Sequence, residues 1–258
     1  MKTVSIITPA YQATASIERA VNSLIAQTYR HWEMLIISDD GQDYEAFLKA
    51  RGVSDERLRF LATERVGAGV SAARNVGLKA VEGIVVGLLD ATDVYYPKRL
   101  QRLFGYAMEY GMAGDNVRVV NEARQDVVTE LFEGAGGMHL MSAQEYADTL
   151  IPMSFLYRRD VITLAWDEWS GAADKLFNLR AFEQARGVLV VGECLHEYRI
   201  QAEGCQSAGA ESQQPSMIVS DQIQPLGFMS PQYSELAQAV IQRSRQAPQF
   251  APPLRKVS

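Results

Sequence analysis

Apolar and polar residues alternate along the first half of the chain in a pattern of short strands and helices. Val4 to Ile7, Met34 to Ile37 and Ile84 to Leu89 are apolar runs of strand length, which predict buried strands. Ile17 to Ile25 carries apolar residues at helical spacing, which predicts a helix with one buried face. Further predicted elements are helices at Tyr44 to Ala50, at Ser71 to Ala80 and from Pro97, and a strand at Leu58 to Leu61. This alternation predicts right-handed β-α-β units and an α/β fold with a mainly parallel sheet flanked by helices.

The second half of the chain shows a less regular pattern. The other predicted elements are a hairpin-like pair at Val117 to Val120 and Val127 to Leu131, helices at Ser142 to Leu150 and Ala173 to Ala185, and strands at Phe155 to Arg158, Leu189 to Val191 and Leu195 to Ile200. From about residue 201 the composition shifts to Gly, Ser, Gln and Pro, which indicates a linker. An amphipathic helix at Tyr233 to Ile241 and a disordered tail at Pro248 to Ser258 complete a predicted C-terminal helical extension.

The composition is that of an ordinary soluble globular protein, with 47% hydrophobic and 22% charged residues among 258. The formal net charge of -6 disfavours nucleic acid as a partner, because a face that binds phosphates in series would be basic. No apolar segment of the sequence approaches the roughly 20 residues of a membrane-spanning helix. Cys194 and Cys205 form no C-x-x-C motif and fit a reducing cytoplasm, with a disulfide between them as the alternative.

Polar residues follow three of the predicted strands. Thr8 to Tyr11, Asp39-Asp40 and Asp90 to Asp93 stand where these strands end, and ligands of open α/β sheets bind at that edge. Arg74 lies on the first turn of a helix that follows glycines 67 and 69. A guanidinium beside the free N–H groups of a helix start favours a diphosphate ligand. The sequence therefore predicts a binding site for a charged diphosphate at one edge of the sheet.

Several motifs occur in a fixed order along the chain. They are Thr3 to Tyr11, Asp39-Asp40-Gly41, Gly69 to Gly77, Leu89 to Asp93, Tyr157 to Asp160, Trp166 to Glu168, Asp174, Leu179-Arg180 and Tyr198-Arg199. In this order they resemble family 2 glycosyltransferases over roughly residues 3 to 205. The resemblance implies a GT-A (Rossmann-like) fold, a nucleoside-diphosphate sugar donor and an inverting mechanism. Residues 1–205 would form the GT-A domain, with a nucleotide-binding half at about 1–112 and an acceptor half at about 113–205, followed by the extension at 206–258.

The resemblance assigns the nucleotide sugar to residues at the three strand ends and to Arg74. The implied contacts are Thr8, Ala10, Tyr11, Asp39, Arg74 and Asp90. Tyr11 would stack against the base and Asp39 would accept a base N–H. The alternatives are that Tyr11 caps the core, that Asp39 is a turn or helix-cap residue, and that Arg74 is a solvated surface residue.

A divalent metal is the cofactor that the resemblance implies, as Mn²⁺ or Mg²⁺ held by Asp90 and Asp93. Two expected ligand positions are altered, since Thr92 replaces the second Asp of the D-x-D motif and Gln201 stands where the family often carries His. A threonine hydroxyl is an uncharged and weak metal ligand. Asp93 has an alternative role, favoured over metal binding, in which it ties down the following loop or caps the helix at Pro97.

Asp174 is the expected general base, because inverting transfer needs a carboxylate to take the proton of the acceptor hydroxyl. The family carries a Glu-Asp pair at the start of this helix, and here the pair reads Ala173-Asp174. The alternative is an Asp favoured at a helix start by the helix dipole alone.

Two functions of different classes follow from these residues. The first is an inverting glycosyltransferase that moves a sugar, most simply from a UDP-sugar, to a hydroxyl of a glycan or lipid-linked acceptor. The second is a catalytically impaired nucleotide-sugar-binding or scaffold module, which Thr92, Ala173 and Gln201 motivate. A sugar nucleotidyltransferase or a dinucleotide oxidoreductase would need a glycine-rich loop where Ala10-Tyr11-Gln12 stands. We expect a cytoplasmic protein, with peripheral membrane contact at the cytoplasmic face or homodimerisation through the C-terminal helix as open alternatives.

Overall fold

The computed structural model describes residues 4–132, 136–149, 152–168 and 173–200, together with 238, 239 and 242. The predicted linker, the tail, most of the C-terminal helix and Gln201 lie outside the described residues. No helix of the described part is long and apolar enough to cross a membrane.

The first half of the chain alternates strands and helices as the hydrophobic pattern predicts. Its strands are β1 Val4–Ala10, β2 Trp32–Ser38, β3 Leu58–Ala62, β4 Val85–Leu88 and β5 Val94–Tyr95. Its helices are α1 Ile17–Ile25, α2 Tyr44–Ala50, α3 Val70–Ala80 and α4 Arg99–Tyr110. Helix α4 begins at Arg99, so Pro97 lies in the turn before the helix and does not open it.

The second half is built mainly from strands. They are β6 Gly111–Asn121, β7 Asp126–Glu130, β8 Met138–Leu140, β9 Leu156–Arg158 and β10 Gly187–Ile200. Its helices are α5 Ala143–Asp148 and α6 Ala173–Gln184. The predicted hairpin is confirmed, because β6 and β7 pair antiparallel. The two strands predicted after residue 188 are one strand, β10, which is interrupted by register shifts between Val191 and His196.

The ten strands of the described residues join one sheet in the order β3-β2-β1-β4-β9-β6-β10-β5, with β7 beside β6 and β8 beside β10. The strands from β3 to β4 pair in parallel, as predicted. The short strand β9 then runs antiparallel between β4 and β6, and β6 pairs in parallel with β10. The sheet is therefore parallel in the first half of the chain and mixed in the second, where the hydrophobic pattern is less regular.

Both faces of the sheet are covered by helices. Successive side chains of a strand point to opposite faces, so Ile6 joins a buried cluster with α1, α2 and α4, whereas Ile7 joins one with α3, α5 and α6. Helix α3 packs very close to β1, since a Cβ on Gly77 would lie 2.6 Å from the Cγ2 atom of Ile7. This contact fixes α3, and the loop before it, against the strand whose carboxyl end forms the edge of the sheet.

Candidate functional site

A cleft of about 770 Å³ opens where β1, β2 and β4 reach their carboxyl ends. It is lined by the loop after β1, by Asp39, by the glycine loop before α3 and by residues 90–92. Arg19 of α1, Glu122 after β6 and Arg199 of β10 complete the lining. The polar clusters that the sequence places at three strand ends therefore meet at one cleft, at the edge where α/β sheets bind ligands.

Asp39 is almost fully buried and anchors the glycine loop. Its carboxylate accepts hydrogen bonds from the Thr63 hydroxyl at 2.7 Å and from the N–H groups of Ala68 and Gly69 at 2.9 Å each. Gly69 is the N-cap residue of α3 and has a φ of 100°, a conformation that favours glycine. Asp39 thus has a structural role, as the alternative predicted from the sequence would have it, but it binds the loop before α3 and not the N–H groups of the first helical turn. A carboxylate has about four acceptor positions, so this geometry leaves room for the N–H of a base as well.

The loop after β1 exposes Tyr11 to the cleft. More than half of the Tyr11 side chain is exposed, so its ring face is available for stacking, whereas the buried Ala10 contributes to the lining beside it. The Asp40 carboxylate holds this loop, because it accepts from the N–H of Gln12 at 2.6 Å and from the Tyr44 hydroxyl at 2.9 Å. Asp40 therefore holds a loop that lines the cleft.

The ionisation of Asp40 and Tyr44 matches these contacts. Burial acts to raise the pKa of Asp40, but the hydrogen bonds from the Gln12 and Gln42 N–H groups and from Tyr44 outweigh it, so that the pKa is lowered. Burial, with the nearby Asp40 carboxylate, raises the pKa of Tyr44 to about 12. Asp40 is therefore a charged acceptor and Tyr44 a protonated donor at neutral pH.

Thr8 occupies a different place from the one expected. It lies within β1, is fully buried, and is not among the residues that line the cleft. Strand β1 continues through Thr8 to Ala10, and its first residue on the cleft lining is Pro9, one residue after Thr8. The expected contact between Thr8 and the nucleotide does not fit this geometry.

Arg74 joins the two carboxylates that the resemblance singles out. Its Nη2 lies 3.0 Å from Oδ1 of Asp90, and its Nη1 lies 2.5 Å from Oδ1 of Asp174. Arg74 is only 4% exposed, which excludes a solvated surface role and places its guanidinium behind the cleft. Burial acts to lower the pKa of Arg74, but the two carboxylates outweigh it and the pKa is raised. Arg74 is therefore a buried, charged donor that links the carboxylates of Asp90 and Asp174.

Asp174 lies in the first turn of α6 and keeps half of its side chain exposed. Besides Arg74, the indole N–H of Trp166 donates to Oδ1 of Asp174 at 3.0 Å. In the described part of the chain both donors reach the same carboxylate oxygen, which leaves Oδ2 for another partner. A helix start alone explains neither donor, so the contacts of Asp174 go beyond what the helix dipole would select.

The side chain of Asn75 holds the loop that carries Trp166. Its Nδ2 donates to the Trp166 carbonyl at 2.9 Å, and its Oδ1 accepts from the Trp166 N–H at 2.8 Å. The same Nδ2 donates to Oε1 of Glu168 at 3.0 Å. Arg74 and Asn75 are neighbours on α3, so one turn of this helix positions Asp174 both directly and through Trp166.

Asp93 is not among the residues that line the cleft. It is 2% exposed, and its carboxylate accepts from the Arg199 N–H at 3.1 Å and contacts Nε2 of His196 at 3.1 Å. Burial raises the pKa of Asp93, and His196 opposes that shift. Both oxygens of Asp93 are engaged, so the expected metal ligation by Asp93 does not fit this geometry. The structure agrees instead with its alternative role, because Asp93 ties the loop after β4 to β10.

The sequence model described as Glycosyl transferase family 2 matches residues 5–163, which include the whole parallel half of the sheet and the cleft residues up to Glu122. The chain belongs to glycosyl transferase family 2. The resemblance of the motifs is thereby confirmed.

Two relatives that are named as glycosyltransferases agree with this assignment, and a solved structure shares the fold. The chain is 37% identical over 98 residues to WfgD of Escherichia coli, named UDP-Glc:alpha-D-GlcNAc-diphosphoundecaprenol beta-1,3-glucosyltransferase, which covers 38% of each chain. It is 26% identical to TuaG of Bacillus subtilis (strain 168), a glycosyltransferase named for teichuronic acid biosynthesis, over 88% of this chain and 90% of TuaG. S. aureus TarS 1-349 in complex with UDP shares the fold at a TM-score of 0.63 and 22% identity, over 78% of this chain and 61% of TarS 1-349. The GT-A fold expected from the sequence is confirmed.

The metal ligands expected of a family 2 glycosyltransferase are incomplete here. Among the residues that the structure describes, no three His, Cys, Asp or Glu side chains converge in a way that could hold a metal ion. Asp90 is part-exposed but shares Oδ1 with Arg74, and the Thr92 hydroxyl lies 3.1 Å from Oδ1 of the buried Asp93. This donor set does not fit a metal held by the protein, and Mn²⁺ or Mg²⁺ would need most of its ligands from a bound donor.

Three charged residues of the cleft, Arg19, Glu122 and Arg199, escaped the sequence-based prediction in whole or in part. Arg19 occupies a polar position of the amphipathic α1, where a solvated residue is the ordinary expectation. Glu122 lies in the turn between β6 and β7, and no motif marks it. The sequence offers no signal for their meeting with Arg199, because Arg19 and Glu122 are 103 residues apart.

Proposed function

We propose that this chain is an inverting glycosyltransferase that moves a sugar from a UDP-sugar to a hydroxyl of a glycan or lipid-linked acceptor. The observation that carries the proposal is the bridge from Asp90 through Arg74 to Asp174. It couples a carboxylate of the nucleotide cleft to a half-exposed carboxylate beside the cleft. A pure binding site for a nucleotide would not need the second carboxylate, whereas inverting transfer does.

The donor side of the proposal rests on the cleft and on the relatives. Tyr11 exposes a ring face for a base, and Asp39 keeps acceptor capacity for a base N–H. TarS 1-349 has been crystallised with UDP, and the name of WfgD gives UDP-Glc as its donor. The name of WfgD also gives a diphosphoundecaprenol-linked acceptor, which supports a lipid-linked hydroxyl as one acceptor class.

The chemical step needs one proton transfer and one displacement. Asp174 takes the proton of the acceptor hydroxyl at its Oδ2, while the hydroxyl oxygen forms a bond to the anomeric carbon of the sugar. The bond from that carbon to the β-phosphate oxygen breaks, and the nucleoside diphosphate leaves with the electron pair. Attack comes from the face opposite the leaving group, so the anomeric configuration inverts. Trp166 and Arg74 both hold Oδ1, which orients the carboxylate for this transfer.

Replacing the base tests the proposal directly. Asp174→Asn keeps the shape of the side chain and removes its basicity, so we expect UDP release from UDP-glucose or UDP-GlcNAc to fall by about 10²-fold or more, the scale of general-base catalysis. UDP affinity in calorimetry should stay within about threefold, because Asp174 lies outside the cleft lining. Unchanged turnover in this variant would refute the assignment of Asp174.

The second candidate function is a nucleotide-sugar-binding or scaffold module with impaired turnover. Thr92 and Ala173 favour it, because both stand where the family carries an acid, and Gln201 was a third reason. If lost metal ligands are the impairment, Thr92→Asp combined with Gln201→His should create turnover of UDP-sugar that depends on Mn²⁺. Robust turnover by the unmodified chain would dismiss this candidate, and no gain in the double variant would remove its main support.

A further inference from the structure

Two arginines, Arg19 and Arg199, both donate hydrogen bonds to the carboxylate of Glu122 on the lining of the cleft. Nη1 of Arg19 lies 2.7 Å from Oε1 of Glu122, and Nη1 of Arg199 lies 2.9 Å from Oε2 of the same residue. Each oxygen of Glu122 thus has its own guanidinium. All three residues line the cleft, so the Glu122 carboxylate lies between two positively charged side chains there.

Both arginines are held from behind, independently of Glu122. Nη2 of Arg19 donates to the Thr92 carbonyl at 2.8 Å. Nε and Nη2 of Arg199 donate to Oε2 of Glu197 at 3.1 and 2.8 Å, and its backbone N–H donates to Asp93. These contacts keep the two guanidiniums in place whether or not Glu122 lies between them.

One of the two arginines, Arg19, lies next to Thr92. Arg19 touches the backbone of the residue that stands where the family carries its second acidic metal ligand. This chain has therefore lost a negative charge at the point where it places a fixed positive one. Arg74, the other cation of the site, is buried, binds Asp90 and Asp174, and is not among the residues that line the cleft.

We propose that Arg19 and Arg199 form the binding site for the diphosphate of the donor, and that Glu122 occupies it until the donor arrives. The proposal rests on the proposed function for the identity of the ligand. Guanidinium groups bind carboxylate and phosphate with the same paired geometry, so the Glu122 carboxylate has the chemistry of a phosphate stand-in. A diphosphate carries more negative charge than one carboxylate, and the exchange therefore favours the donor.

Release of Glu122 should be easy. Its side chain is one-third exposed and belongs to the four-residue turn between β6 and β7. Ion pairs at such exposed positions contribute little to stability, because water solvates the separated charges. Burial acts to raise the pKa of Glu122, but Arg199 and Arg19 outweigh it and the pKa is lowered, so Glu122 is a charged competitor at neutral pH.

Calorimetric titration of UDP and of uridine, in EDTA and again with Mg²⁺, tests the site through the affinity gained from the two phosphates. In the unmodified chain we expect UDP to bind more tightly than uridine in EDTA, with less than about a threefold change on adding Mg²⁺. Arg19→Gln and Arg199→Gln should each weaken UDP about tenfold or more, as loss of a charge-assisted hydrogen bond does, and leave uridine unchanged. Glu122→Gln should tighten UDP about threefold, because the competing charge is gone.

Arg124→Gln is the matched control, since Arg124 lies on the same turn, pairs with Asp126 and is outside the cleft lining. It should leave UDP affinity unchanged. If either Gln variant is unfolded by circular dichroism, Arg19→Lys and Arg199→Lys keep the charge and should lose affinity only in part.

Three results would overturn the proposal. They are UDP binding that requires Mg²⁺, weaker UDP binding in Glu122→Gln, and equal affinities for UDP and uridine. If turnover depends on Asp174 and the binding experiments give any of these three results, the proposed function stands and the arginine site is rejected. Metal-free UDP binding that depends on both arginines, in a chain without turnover, would retain the site and reject the enzyme. No UDP binding in either buffer would reject both.

Discussion

Nε1 of Trp166 lies 3.0 Å from Oδ1 of Asp174, and the same indole is stacked on Phe177 of α6, with 3.6 Å between ring centroids and 10° between the planes. Asp174 lies in the first turn of α6, so one helix provides both the carboxylate and the aromatic surface that orients its donor. Asn75 of α3 holds the backbone of Trp166 from the other side. The proposed base is therefore oriented by groups from two different elements of the fold.

Trp166→Phe removes the indole N–H and keeps a ring that stacks on Phe177. We expect turnover of UDP-sugar to fall about tenfold, because a hydrogen bond to a charged group contributes about 1.5–3 kcal/mol and the bond from Arg74 remains. UDP affinity should not change, since Trp166 does not line the cleft. Steady-state kinetics beside calorimetry separate the two quantities.

Trp32→Phe is the control for this substitution. Trp32 is fully buried on β2, and its indole nitrogen has no hydrogen-bond partner among the described residues. The Trp32→Phe variant should lose some stability and keep its turnover of UDP-sugar. Equal losses of turnover in the two variants would mean that Trp166 acts only through general packing.

Asn75→Ala should reduce turnover by acting on Trp166. Asn75 is buried, and its loss leaves the Trp166 N–H and carbonyl without their partner, at a cost of about 1–3 kcal/mol in the free energy of unfolding. If Asn75 works through Trp166, adding Trp166→Phe to Asn75→Ala should lower turnover little further, because residues in one network are not additive. A double-mutant cycle in kcat measures this coupling, and purely additive losses would contradict the pathway.

Arg74→Lys should damage the link between Asp90 and Asp174. A lysine ammonium is a single point charge and cannot donate to both carboxylates in the geometry of a guanidinium. We expect the free energy of unfolding to fall by about 1–2 kcal/mol, less than for a fully buried pair because both carboxylates are part-exposed. Turnover should fall about tenfold or more, because Asp174 loses its direct cationic donor.

Arg59→Lys is a matched control for the bridge. Arg59 also joins two carboxylates, Glu33 and Glu82, but lies outside the cleft lining. Urea denaturation should show a loss of stability in both variants, whereas turnover should fall only in Arg74→Lys. A similar fall in Arg59→Lys would show that turnover merely follows stability.

The parallel half of the fold was predictable mainly because β1, β2 and β4 are buried on both faces and therefore read as apolar runs. The first part of β6 was not, since Asp115 is polar and yet fully buried, where it pairs with the buried Arg99 of α4. Strands β5 and β8 have two and three residues, too few for a pattern of their own, and they exist through pairing with β10. Tertiary contacts, which no local pattern encodes, decide these elements.

The candidate site likewise contains residues that motifs predict and residues whose positions depend on tertiary contacts. Asp90 and Asp174 follow from motifs, because a strand end and a helix start place them. The position of Arg74 behind the cleft does not, since it depends on a partner 100 residues later in the chain. Asp93 was assigned to a metal by analogy, and the alternative of tying down a loop was the better guide, because its partners His196 and Arg199 come from β10.

Asp40→Asn should make stability less dependent on pH. The pKa of Asp40 is lowered in the folded protein, so the carboxylate stabilises the fold above its unfolded pKa of about 3.9, and this contribution is lost as the pH falls through the lower folded value. At pH 7 the variant should lose about 1 kcal/mol, or roughly 2–4 °C in Tm, because the amide nitrogen cannot accept from Gln12 and Tyr44. The difference in Tm from the unmodified chain should shrink as the pH falls below about 4.

Thermal denaturation from pH 7 to 3 measures this difference in Tm. Asp126→Asn is the control, since the exposed pair of Asp126 with Arg124 should contribute little at any pH. A difference that stays constant down to pH 3 would show that the shape of the Asp40 side chain, and not its charge, holds the Tyr11 loop.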